Sequence, residues 1–112
     1  MERRLLAAAE LRRDGHAVVI TVSPLLPIEE PRRFFERIAG AADAVVVDHY
    51  IGGDGSEGGT RTARTPLPAA MEALRPGSTR LEYRDEVVAI AKQALPGRVG
   101  VGRAGFAGRY EA

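Results

Sequence analysis

An α/β unit in which parallel strands alternate with helices is the fold class this sequence predicts, and three observations lead to it. Two β-branched runs, Ala17-Val18-Val19-Ile20-Thr21-Val22 and Ala44-Val45-Val46-Val47, are apolar at successive positions. That pattern suits strands covered on both faces. Between Tyr83 and Leu95, the residues Val87, Ile90, Ala91, Ala94 and Leu95 fall at i, i+3, i+4, i+7 and i+8, one face of a helix. Strands and helices follow one another in turn, which implies crossover connections and a parallel sheet.

The elements follow in order. Glu2 to Asp14 is rich in Ala, Leu and Arg, all good helix formers, and Gly15 is placed to cap its C-terminus. The first strand then runs to Val22 and is ended by Ser23-Pro24-Leu25-Leu26-Pro27. Glu29, Glu30 and Pro31 open a second helix, with Phe34, Phe35 and Ile38 on its apolar face and Gly40 at its close. The second strand, Ala44–Val47, leads directly into Asp48-His49-Tyr50. Residues 51 to 66 carry no strong helix or strand signal and read as a long loop. Pro68 to Leu74 reads as a short helix, and Pro76-Gly77 as a turn. After the helix over Tyr83–Leu95, Pro96-Gly97 is the stop and Arg98-Val99-Gly100-Val101 the third strand. The tail from Gly105 to Tyr110 reads as irregular, with Phe106 and Tyr110 as packing residues. His16 reads as structural.

The 112 residues bound the chain to a single α/β unit spanning 1–112. Hydrophobic content of 45% against 28% charged places it with globular rather than disordered chains. A net charge of +1 argues against a dedicated nucleic-acid surface, which carries a marked basic excess, without excluding such contacts. There is no cysteine. Disulfides, thiolate metal sites and cysteine nucleophiles are therefore ruled out for this chain by itself. The N-terminal Leu/Ala run is broken by Glu10, Arg12 and Arg13 and lacks the apolar length of a signal or a membrane span, so the expected location is cytoplasmic.

Parallel-sheet proteins bind ligands at the C-terminal ends of their strands. That rule selects Ser23-Pro24, Asp48 onward and Gly102 onward, which should share one face. Asp48 could bind a hydroxyl pair or orient His49, and His49 could serve as base or donor; the alternative is that Asp48 caps the loop's backbone and His49 is half exposed. The stretch that follows combines glycines with Asp54, Ser56, Arg61, Thr62 and Arg64. Glycines admit close approach of backbone N–H groups to an anion, and arginines add forked donors. The spacing matches neither a phosphate-binding Walker loop nor a dinucleotide fingerprint. The alternative for this stretch is a plain surface loop. Ser23 lacks the Gly-x-Ser-x-Gly surroundings of a nucleophile. No residue is assigned a catalytic or metal-binding role.

Several stretches together resemble one family. They are Leu11–Val18, Ser23–Ile28, Asp43–Tyr50, Gly53–Ser56 running on through Arg61–Thr65, Tyr83–Glu86, Pro96–Val101 and Gly105–Arg109. In these the chain resembles the C-terminal half of radical SAM proteins related to spore photoproduct lyase. The resemblance implies a partial (β/α) barrel fragment whose strand ends help hold S-adenosylmethionine and substrate. It makes Ser23, Asp48 and His49 candidate cofactor contacts. Asp54, Ser56, Arg61, Thr62 and Arg64 become candidates for substrate or anion contacts. The family's [4Fe–4S] cluster needs cysteines this chain lacks, so the chain is not expected to perform radical chemistry alone. Its implied partner is a cluster-bearing N-terminal half, or a second copy joined through open strand edges. Read without the resemblance, the same residues suggest a stand-alone anion- or nucleotide-binding module or a protein-interaction module.

Overall fold

A computed structural model describes residues 2–112. The first helix, α1 (Glu2–Arg13), ends where Gly15 takes a left-handed φ of +92°. There the Gly15 amide donates to the Arg12 carbonyl and the His16 amide to the Leu11 carbonyl, satisfying carbonyls the helix leaves open. The strand that follows is β1 (Val19–Val22), shorter than the run from Ala17 suggests. The Val18 amide donates to the Asp43 carboxylate at 2.8 Å, holding the segment that leads into the strand. Helix α2 (Pro31–Ala39) starts on Pro31 as expected and is closed by Gly40 in ordinary right-handed geometry. Strand β2 (Ala44–Val47) is buried at every position. Helix α5 (Leu67–Leu74), helix α6 (Leu81–Ala94) and strand β3 (Val99–Val101) match the sequence reading to within two residues at each end.

Two segments differ from expectation. The stretch after β2 is built of short turns rather than open loop: α3 (Tyr50–Gly53), kinked at Ile51 and Gly52, a 3-10 turn at Glu57–Gly59, and α4 (Thr60–Ala63). The tail also has regular structure, α7 (Gly102–Phe106), followed by a return in which Glu111 bridges Val99. Phe106 is not a packing residue; it is exposed on α7, whereas Tyr110 is half-buried. His16 is likewise exposed.

The three strands form one parallel sheet in the order β1-β2-β3. The register pairs Val22 with Val47 and Val47 with Val101. Alternation along a strand then divides the sheet into two faces. Val45, Val47 and Val99 pack with Phe35, Ile38, Val87, Ala91 and Leu95, so α2 and α6 cover one face. On the other face α7 lies against the end of β3. A Cβ on Gly105 would stand 2.6 Å from the Gly100 carbonyl carbon and 2.9 Å from Val46 Cγ1, so this contact has room for hydrogen only.

Burial corrects one expectation about β1. It is not covered on both faces: Val19 is 46% exposed and Thr21 is also exposed, because on that face α7 packs over β2 and β3. Among the described residues, no helix is long and apolar enough to cross a membrane.

Candidate functional site

One step past the paired register, Ser23, Asp48 and Gly102 stand in one row across the ends of all three strands. This is the common face the parallel-sheet rule requires. The backbone enforces it: the Asp48 amide donates to the Val22 carbonyl, and the Leu25 amide to the Asp48 carbonyl at 2.8 Å. Ser23 Oγ then donates to Asp48 Oδ2 at 3.2 Å.

Asp48 is only 8% exposed. Its second oxygen, Oδ1, receives no hydrogen bond among the described residues. None of their fully buried side-chain polar atoms lacks a partner, so Oδ1 is in touch with the space in front of it. That space is a cavity of about 230 Å³ whose lining includes Ser23, Asp48, His49, Tyr50, Gly53, Asp54 and Thr62. A Cβ on Gly53 would overlap the Asp48 carboxylate, and one on Gly102 would lie 3.7 Å from Oδ1. Two side-chain-free positions thus flank the carboxylate.

His49 has a different part. Its Nδ1 accepts from the Ile51 amide at 3.1 Å, and its Nε2 lies 3.1 Å from the Ser78 carbonyl. An amide donor on Nδ1 assigns the proton to Nε2, which therefore donates to Ser78. Both ring nitrogens are used, the residue is 1% exposed, and its ring lies 4.7 Å from that of Tyr50. His49 ties the end of β2 to the turn between α5 and α6. Ser78 is itself fully buried and donates through Oγ to the Met71 carbonyl. Nothing in the sequence pattern singles out Ser78, since a serine after Pro76-Gly77 looks like any turn residue.

Asp54 is the centre of the following turns. Its Oδ1 accepts from the Ser56 amide at 2.8 Å and Ser56 Oγ at 2.5 Å; its Oδ2 accepts from the Thr62 amide at 3.0 Å and Thr62 Oγ1 at 2.7 Å. The hydroxyls of Ser56 and Thr62, helped by the two amides, hold the Asp54 carboxyl well below the usual carboxylate range. Asp54, Ser56 and Thr62 do come together, but as one another's partners. Arg61 joins them, donating from its amide to Ser56 Oγ and from its guanidinium to the Asp54 carbonyl at 3.3 Å. Arg64 is exposed. Neither arginine lines the cavity beside Asp48.

The chemistry of this cavity therefore differs from that of an anion site. Its lining includes the open carboxylate oxygen of Asp48, and neither Arg61 nor Arg64 is part of it. A carboxylate oxygen with no protein donor suits a ligand group that donates hydrogen bonds or carries positive charge. The volume falls below the roughly 300–1,000 Å³ usual for a complete small-molecule site. The cavity thus has room for one group of a ligand. For an iron–sulfur cluster the residues do not fit: there is no thiolate, and among the described residues no cluster of three metal-ligating side chains exists.

Comparison with protein-family models, with curated proteins and with solved structures finds no match.

Proposed function

We propose that this chain is the cofactor- and substrate-binding portion of an enzyme of the radical SAM class, similar to spore photoproduct lyase. The observation that carries the proposal is the row Ser23–Asp48–Gly102 at the C-terminal ends of three parallel strands, with an open carboxylate oxygen facing a cavity. The cover of the sheet bears on a partial barrel, which places its helices outside and its strand face inside: α2 and α6 lie on one face, and the other is bare along β1 at Val19 and Thr21 but carries α7 over β2 and β3. S-adenosylmethionine, when bound, would supply the radical precursor. On this chain Asp48 and Ser23 would hold one of its polar groups, with Tyr50 and Gly53 shaping the wall. The cluster and the rest of the cofactor site belong to residues outside these 112, on a segment or subunit that pairs with β1.

Ligand-observed saturation-transfer NMR of S-adenosylmethionine with the purified chain tests the proposal. Transfer to the cofactor, reduced by Gly53→Ala, is expected. No transfer at millimolar cofactor, with the chain folded, would overturn it. A coding sequence for a Cys-x-x-x-Cys-x-x-Cys segment beside that of this chain is the matching genomic expectation.

A further inference from the structure

We infer that the chain pairs with a second copy of itself along β1, antiparallel and with the two-fold axis at Ile20, to make one six-stranded sheet. The inference goes beyond the reading above and is tested without any cofactor. A strand from a cluster-bearing half would use the same backbone groups, so the self-pair is the state of the chain when that partner is absent.

The direction of the backbone comes first. The Val18 and Val22 carbonyls accept from the Asp43 and Asp48 amides, so residues 18, 20 and 22 turn their polar groups toward β2. The N–H and C=O groups of Val19 and Thr21 point the other way, where no strand among the described residues meets them. Two such residues, spaced by two, are what an antiparallel partner engages. Centred on Ile20, the pairing sets Val19 opposite the partner's Thr21, with both bonds exchanged, and Val18 opposite the partner's Val22. Every facing pair is then β-branched, the kind of cross-strand contact that stabilises a sheet. Edge strands are usually blunted by lysine, proline or a bulge, yet Ala17 to Val22 carries no charge and no proline. The helix face adds a place for the partner's side chains. A groove of about 340 Å³ lies over β1 there, with Leu5, Ile20, Val22, Phe34 and Ile38 in its lining. A two-fold axis normal to the sheet keeps both helix layers on one side and brings the partner's Ile20 against Ile20 beside this groove. Area supports the same contact. A stable dimer buries about 800 Å² a side, about a tenth of the 7124 Å² surface of this chain, and a four-residue edge alone falls short. The exposed Leu6, Leu11, Val19 and Leu26 lie on β1 or on the segments running directly into and out of it, and extend the apolar contact. The opposite rim of the sheet is bridged at Val99 by Glu111, so the self-complementary contact closes at two copies.

Sedimentation equilibrium of the purified chain, from low to high micromolar concentration, tests the assembly. A monomer–dimer equilibrium with nothing larger is expected. Thr21→Pro removes only an outward N–H, which an edge strand tolerates, and should weaken the dimer about tenfold or more. Thr21→Lys puts a charge at the same exposed position and carries the comparison where circular dichroism shows that the proline variant has lost structure. The register is read by crosslinking. Because the chain has no cysteine, a single introduced thiol reports its own neighbour across the axis. Ile20→Cys places two thiols opposite each other within disulfide reach, so mild oxidation should give a covalent dimer. Val19→Cys or Thr21→Cys alone should crosslink poorly, while an equal mixture of these two variants should crosslink between copies, since their positions face each other. A monomer at every concentration, an open ladder of larger species, or a dimer indifferent to both Thr21 variants would overturn the inference. So would crosslinking that favours Val19→Cys or Thr21→Cys alone over Ile20→Cys and over the mixture. None of these outcomes involves S-adenosylmethionine, so the cofactor reading stands or falls separately.

Discussion

Replacing His49 with alanine removes an imidazole that is 1% exposed and whose two nitrogens hold together parts of the chain 29 residues apart. The cost follows from two effects. The first is the cavity left between Tyr50 and the Ser78 turn; large-to-small changes at such sites cost about 2–5 kcal/mol. The second is loss of pairing for the Ser78 carbonyl and the Ile51 amide, about 1 kcal/mol each when solvent can replace the partner and more when it cannot. A total of about 4–7 kcal/mol follows, a large part of the roughly 5–15 kcal/mol that stabilises a domain of this kind. Conservative variants separate the effects. His49→Asn keeps an acceptor where Nδ1 stands and should recover the Ile51 bond. His49→Gln reaches the Nε2 position and should recover the bond to Ser78. His49→Phe keeps the volume and strips both bonds. Urea unfolding followed by circular dichroism gives the order: parent most stable, Asn and Gln intermediate, Ala least. An alanine variant within about 1 kcal/mol of the parent would refute the reasoning, since that is the size of an ordinary surface change. So would Asn and Gln variants no better than Ala, which would mean that the nitrogens do no bonding.

Other expectations follow from the same geometry. Because Asp54 is held ionised, its folded pKa lies below the unfolded value; the stability it contributes is present above about pH 4 and is lost as pH falls through the folded value. Carboxylate ¹³C titration should place Asp54 well below the ordinary aspartate range, and an ordinary midpoint near 3.9 would refute this. Asp54→Ala should loosen residues 54–62, seen as faster amide exchange at Ser56 and Thr62, while the helices keep their protection; unchanged exchange would count against it. Gly105→Val should cost at least about 1–3 kcal/mol in thermal or urea unfolding, because the side chain meets the Gly100 backbone and Val46; a neutral result would mean that α7 is free to lift away. Val19→Lys should reduce any concentration-dependent self-association seen by light scattering, since it puts charge on the open strand edge; no change would direct attention to another surface.

Much of the architecture is readable in the residues because single interactions dominate there. Val45, Val46 and Val47 form a strand covered on both sides, and Pro31 and Gly15 mark helix ends through backbone constraints that act locally. The position of Asp48 is likewise legible, since strand-end placement follows from sheet topology. What escapes is the direction of each polar side chain. Arg61 and Arg64 suggest an anion site by type, yet Asp54 gathers Ser56 and Thr62 into turns, Ser56 Oγ holds the Arg61 amide, and neither arginine lines the cavity. Asp54 accepts across eight residues to Thr62, a reach that no short-range motif encodes. His49 looks like a base beside an acid until Ser78, far along the chain, is seen to occupy it. The covering of β1 depends on what lies beyond it in space, which residue type alone does not report.

The two rims of the sheet are unlike. Along β3, the returning tail bridges Val99 through Glu111, and Lys92 pairs with Glu111 at 2.8 Å, so an incoming strand meets backbone already engaged. Among the described residues no strand or bridge guards β1 in this way. Growth of the sheet is therefore polar: a further strand adds on one side alone. Any assembly that incorporates this chain by strand addition has its handedness of attachment decided in advance, and the chain terminates that assembly at its β3 rim.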